Sequence, residues 1–382
     1  MTIFKLFLVF FLATPLLAQD GLSPKDTTEV AGAQTGEEMS IRRGLGRPCP
    51  DAVRDTCLRI GVRQSARPFS YYSRTLDPVP SDPVTARTLA KSGPLRAAGF
   101  DGYMVYICDE VLRELMLTGP GLPPALTSDQ IAVVEIDELM TDPDRAGRDR
   151  FTLLGDKIDI LCDPASINLE RVRNFAVSPP LFLTGVSYLT REDNIPPSRD
   201  RCPDPGKALI GIVGSTNAAQ HGIRAIVEAD EWSQYKSSVL GAIKGGSAAA
   251  GRCPVAPSDT SGGYIFAGKT HEEVARAFCN GDVSYYVGDL EIILEHARME
   301  PGCDPIPAAQ SFTNDRYGIF AQIDYSKTAK ALQIGRFFEV LNREIASSDS
   351  LLDRAYNAEF GDATKSRKLE LFFWSLRGAR DP

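Results

Sequence analysis

Apolar and polar positions along this chain alternate between two spacings. Short apolar runs at Leu58–Val62, Ile131–Ile136, Ile158–Cys162, Ala208–Val213, Val283–Val287 and Tyr317–Ala321 predict strands, and Val186–Leu189 reads as extended. Stretches of helical spacing lie between them. Met104, Ile107, Val111 and Leu115 recur at steps of three, four and four residues and predict a helix over Gly102–Met116. Ile334, Phe337, Leu341 and Ile345 line one face of a late helix. Helices are also expected over Asn217–Ala229 and His271–Cys279, with a short one from Phe151 to Leu154 closed by Gly155. Strands alternating with helices predict an α/β protein with largely parallel sheets. Residues 73–98 and 254–263, rich in Pro, Ser, Thr and Asp, read as loops.

The start of the chain breaks this pattern. Met1–Lys5 carries one positive charge, Leu6–Leu12 is an unbroken apolar run, and Ala18-Gln19 offers a cut point. Residues 1–18 therefore read as a secretory signal, too short for a membrane span of about 20 residues. Residues 19–56 are expected to be a flexible N-terminal segment. What remains of the 382 residues exceeds one ordinary domain of roughly 100–200 residues, so two lobes are expected. The net charge of −8 argues against a nucleic-acid partner. All eight cysteines follow the signal: Cys49, Cys57, Cys108, Cys162, Cys202, Cys253, Cys279 and Cys303. An even number in an exported chain points to disulfides. The three histidines stand at no ligand spacing to a cysteine, and there is no CxxC pair, so no metal or other cofactor is expected.

The most informative segment runs from Asp159 through Ser166 and Asn168 to Arg171. It resembles the strand–turn–helix of the periplasmic amino-acid-binding proteins of ABC importers, solute-binding protein family 3. Other stretches agree in order: Leu58–Val62 with Pro68-Phe69-Ser70-Tyr71, Gly99-Phe100-Asp101, Gly214-Ser215-Thr216, Gly281-Asp282-Val283 with Asp289, and Tyr356 through Phe360-Gly361. The resemblance covers about residues 57–361 and implies a type II periplasmic binding fold with a ligand in the cleft between two lobes. Lobe 1 is expected to be discontinuous, 57–184 plus 312–376, and lobe 2 to span 191–309. The chain would cross between them near Gly185–Thr190 and Ala309–Thr313. Arg63-Gln64 with Pro68-Phe69-Ser70-Tyr71-Tyr72, and Cys162 with Asn168, look closest to the glutamate- and aspartate-binding members.

The chemistry of the residues agrees. Arg171 offers a planar fork that fits a carboxylate through two parallel hydrogen bonds. Ser166 and Asn168 supply further hydrogen bonds, and Ser215 and Thr216 open a helix whose first N–H groups favour an anion. Asp289 at a strand end pairs with an ammonium. Arg63 suits a second carboxylate, and Phe69 belongs to an aromatic wall; the blander readings are a solvated Arg63 and a lobe core. Asp163-Pro164 departs from the family pattern, so Asp163 either repels a second carboxylate or binds the ammonium. In the first lobe Cys49 is expected to pair with Cys57 and Cys108 with Cys162. The other four would pair within the second lobe in an order left open. The resemblance implies a periplasmic monomer that captures an amino acid, acidic ones first, and passes it to an ABC permease at the inner membrane. The alternatives are a periplasmic dehydratase-like enzyme on the same fold, or a ligand-sensing module.

Overall fold

Every one of the seven residues of the strand Ile160–Ser166 is buried, as a strand covered on both faces requires. It lies at the centre of the first of two main sheets. The computed structural model describes residues 49–377, except 54, 74–92, 118–124, 141–149, 194–207, 215, 230, 233–234, 237–238, 241–264, 348 and 362–364. The export signal, most of the two expected loops, Ser215, Cys202 and Cys253 lie outside the described residues.

The first sheet runs in the order Ile131–Glu135, Leu58–Val62, Ile160–Ser166, Asp315–Ala321 and Ala176–Val177, with Phe182–Thr184 also paired to Asp315–Ala321. Its first three strands are parallel, and Asp315–Ala321 is antiparallel to Ile160–Ser166. The second sheet runs Ile265–Gly268, Ala208–Val213, Val283–Asp289, Val186–Thr190 and Ile306–Pro307. Again the first three are parallel and the last two antiparallel. Each sheet is therefore mixed around a parallel core. Parallel neighbours need a crossover connection, and Phe182–Thr184 leads into Val186–Thr190 with no helix between them.

Helices cover these sheets with the faces their spacing predicts. Met104, Ile107, Val111 and Leu115 are all buried in the helix Tyr103–Leu115, against Ile334, Phe337, Leu341 and Ile345 of Thr328–Ala346. Each such side chain contributes about 1.5–3 kcal/mol of burial. Two boundaries differ from the sequence reading. Pro94–Ala97, inside the expected loop, is helical. Proline suits a first helical turn, and the buried carboxylate of Asp109 accepts hydrogen bonds from the Leu95 and Arg96 amides at 2.7 and 2.9 Å. That cap comes from another helix, so local sequence does not show it. Ile136 belongs to the helix Ile136–Met140 rather than to the strand before it.

Disulfides join Cys49 to Cys57, Cys108 to Cys162 and Cys279 to Cys303. The second ties the helix Tyr103–Leu115 to the central strand. The first closes over a helical turn at Asp51–Val53, inside the segment expected to be flexible.

Two chain segments join the lobes side by side. The Val186 amide donates to Thr313 Oγ1 at 2.7 Å, the Phe312 amide to the Val186 carbonyl at 2.8 Å, and Ser187 Oγ to the Gln310 carbonyl at 2.9 Å. Gly185 permits this approach: a Cβ there would stand 2.2 Å from the Thr313 carbonyl oxygen.

Candidate functional site

The parallel strands of both sheets end toward a shared seam, and a cavity of about 30 Å³ lies in it. From the first lobe it is lined by Arg63, Arg150, Pro164, Ser166 and Arg171. From the second come Thr216, Asn217, His271, Gly288 and Asp289, with apolar neighbours. A space this small admits about two waters, so an amino acid enters only when the lobes part. A larger groove of about 460 Å³ opens on the outer face of the first lobe beside Asp159, Gln322 and Lys330. The Asp159 carboxylate there is already closed by Arg59 at 2.7 Å and Lys330 at 3.0 Å. The seam is the better candidate because both lobes contribute charge to it.

Arg63 leaves the strand Leu58–Val62 in a clamped conformation. Its amide donates to Ser70 Oγ at 3.1 Å, and that hydroxyl donates to the Arg63 carbonyl at 2.8 Å. Its Nε donates to Asp137 at 3.1 Å. Arg171 sits in the helix Leu169–Asn174, where Nη1 donates to the Ser166 carbonyl at 2.9 Å and the guanidinium lies 4.1 Å from the centre of the Phe151 ring. Planar contacts of this kind hold the fork in one orientation. Arg150 was not foreseen from sequence. Its Nε lies 2.7 Å from the buried Asp163 carboxylate, and Nη2 donates to the Pro164 carbonyl at 2.9 Å. The available signal was its place just before Phe151 and Leu153, which anchor that turn in the core. His271 and Asn217 were missed as well.

Other expected residues have other surroundings. Phe69 is fully buried and does not line the cavity; it packs edge-on against Phe182, Tyr317 and Tyr103 at 4.9, 5.1 and 6.1 Å. It is core rather than cavity wall, because the turn between Ser65–Ala66 and Ser70–Tyr72 sets its ring against the helix Tyr103–Leu115 and the strands Phe182–Thr184 and Asp315–Ala321. Asn168 is exposed and caps its helix, accepting from the Arg171 amide at 2.9 Å. Thr216 lines the cavity while its hydroxyl donates to the Val213 carbonyl at 2.8 Å. Ser215 lies outside the described residues.

Asp289 ends the strand Val283–Asp289 and accepts a hydrogen bond from the buried Tyr317 hydroxyl of the first lobe. Its other oxygen is buried with no hydrogen-bond partner among the described residues. Burial, and then the nearby Asp315, push its carboxyl up to about 7. The lobes also meet through Thr184 and Glu291 at 2.5 Å and through Asn217 and Asp315 at 2.8 Å. His271 accepts or donates at 2.9 Å to Tyr286 and stacks on His296. Burial first, then His296, Arg63 and Arg150, hold its pKa well below the ordinary value, so it is neutral near pH 7.

A stability prediction follows for Asp289. A carboxyl raised in the folded state costs nothing below its unfolded pKa, near 3.9, and costs its full amount above about 7. Asp289→Asn should therefore stabilise the ligand-free protein more at pH 8 than at pH 5, by about 2–3 kcal/mol. Denaturant unfolding at the two pH values checks this; a pH-independent effect would remove the argument.

No family model matches the chain, and no curated protein matches it. Solved structures do. An ancestral arginine-binding protein bound to glutamine is 16% identical, with a TM-score of 0.47, covering 80% of this chain and 99% of that one. The GluR0 ligand-binding core from Nostoc punctiforme, in complex with L-glutamate, is 13% identical at a TM-score of 0.46, covering 80% and 99%. An ancestral amino-acid-binding protein, a precursor of cyclohexadienyl dehydratase, is 14% identical at 0.44, covering 85% and 98%. Identities this low speak to fold alone, and the two-lobe α/β architecture stands on the strand order above. No helix among the described residues is long and apolar enough to cross a membrane.

Proposed function

We propose that this protein captures an amino acid between its two lobes, acidic ones first, in the periplasm, and delivers it to an ABC permease. One observation carries the reading: Arg63, Arg150 and Arg171 line one side of the seam cavity, and Asp289 lines the other. Arginine forks suit carboxylates, and a buried aspartate suits an ammonium. The ligand then completes the contact between lobes that two short segments allow to hinge, and its preference for the closed form drives closure.

A thermal-shift screen of the common amino acids tests this. A ligand at 100 times its Kd adds about 2.7 kcal/mol of apparent stability. L-glutamate and L-aspartate should raise Tm most; no shift with any amino acid would sink the proposal. One feature favours the dehydratase-like alternative: the Asp289 carboxyl, pushed to about 7, is poised for general acid or base work. Product formed from aromatic-amino-acid precursors would establish it.

A further inference from the structure

His271 lines the cavity from the second lobe, and its neighbours hold the imidazole in one protonation state. It is the first residue of the helix His271–Cys279 and is 5% exposed. A helix N-terminus disfavours a cation. Burial, and then His296, Arg63 and Arg150, disfavour one further. The ring is therefore neutral, with a proton on one nitrogen and the other nitrogen bare.

Tyr286 decides which nitrogen is bare. Its hydroxyl has no exposed surface and stands 2.9 Å from His271 Nδ1 and 3.1 Å from the His271 carbonyl oxygen. A phenol hydroxyl carries one proton. Donated to the carbonyl, that proton leaves the oxygen free to accept from Nδ1–H, and both contacts are hydrogen bonds. Donated to Nδ1, it leaves the carbonyl contact unmade. A buried hydrogen bond is worth keeping, so the network assigns the ring proton to Nδ1 and leaves Nε2 as an acceptor.

That acceptor is turned toward the ligand. The Nδ1 edge of the ring meets Tyr286, and one face stacks on His296. The rim formed by Cε1 and Nε2 is what remains for the cavity. Gly288, also in the cavity lining, lies along that rim: a Cβ there would stand 3.9 Å from His271 Cε1. Asp289 follows directly. One of its oxygens accepts from Tyr317, and the other is buried with no hydrogen-bond partner among the described residues. An ammonium carries three N–H donors, and one carboxylate oxygen does not satisfy them all.

We propose that His271 is a ligand-binding residue: its bare Nε2 accepts an N–H of the α-ammonium beside Asp289, and Tyr286 is the positioning residue that fixes this tautomer. This rests on the amino-acid reading above. The pair selects a ligand with at least two N–H groups on its α-nitrogen, so the matching α-hydroxy acid is refused.

Nitrogen-15 NMR of the whole protein tests it, because protonated and bare imidazole nitrogens resonate far apart and the chain has three histidines. Without ligand, at about pH 7.5, His271 should show Nδ1 protonated and Nε2 bare. L-glutamate, or the amino acid that raises Tm most in its place, should move the Nε2 resonance as a donated hydrogen bond does. Tyr286 does not line the cavity. Tyr286→Phe should nevertheless shift His271 toward the Nε2-protonated tautomer and weaken binding by at least about tenfold. His271→Phe should cost about as much, and combining the two should add little. An Nε2-protonated ring in the ligand-free natural protein overturns the inference and leaves the amino-acid reading standing. So does an Nε2 resonance that stays unmoved when the amino acid binds. Binding of none of the common amino acids overturns both. The tautomer is read in the natural protein, so it decides even where neither variant folds.

Discussion

Arg171→Ala is expected to weaken amino-acid binding by roughly 10- to 150-fold, the loss of about 1.5–3 kcal/mol for one charge-assisted hydrogen bond. The expectation comes from how the side chain is held. The Ser166 carbonyl takes Nη1 at 2.9 Å and the Phe151 ring backs the guanidinium at 4.1 Å, so the fork is oriented before any ligand arrives. Preorganised donors cost little to use on binding, which is why their removal is felt in affinity. Arg171 is half-buried, and its loss removes a ring contact as well. Calorimetry is therefore paired with thermal unfolding: a folded variant with unchanged affinity would show that the carboxylate binds elsewhere. Arg171→Lys should also bind weakly, because an ammonium cannot reproduce the planar fork.

Phe69→Ala is expected to cost about 3–5 kcal/mol of stability, as truncation of a buried aromatic does. The ring has no exposed surface and touches Tyr103, Phe182, Tyr317 and Phe360 within 4.9–6.3 Å. Tyr103 in turn donates to the Leu181 carbonyl at 2.7 Å, so the cavity left would be lined by side chains that are themselves held in place. Such a site collapses poorly, which puts the cost toward the upper end. Denaturant titration measures the loss, and ligand affinity of the folded fraction should change little. Unaltered stability with lost affinity would return Phe69 to the cavity wall.

Much of the architecture was legible in the chain. Helical spacing identified the buried face of Tyr103–Leu115, a short apolar run located the strand Ala208–Val213, and the helix expected over His271–Cys279 has the boundaries observed. These elements bury so much apolar surface that period alone identifies them. Arg63, Ser166, Arg171, Thr216 and Asp289, all read from the sequence, line one cavity. Phe69 and Asn168 do not, although their residue types suit a ligand, because a core and a helix cap use the same chemistry.

What local sequence determined here is period, turn chemistry and the presence of charged residues near strand ends. What the tertiary structure decided is which charges face one another. Arg150 meets Asp163 across 13 residues of chain, and Asp289 meets Tyr317 across 28. Arg63 meets Asp137 across 74. No residue pattern near Asp163 states that it will be buried beside Arg150 and within electrostatic reach of Arg63 and Arg171. Its burial follows from the central position of its strand, and its partners follow from how four other elements end around it. Apolar periodicity is written in neighbouring residues, whereas the balance of charge in a buried seam depends on distance and desolvation, which exist only once the chain has folded.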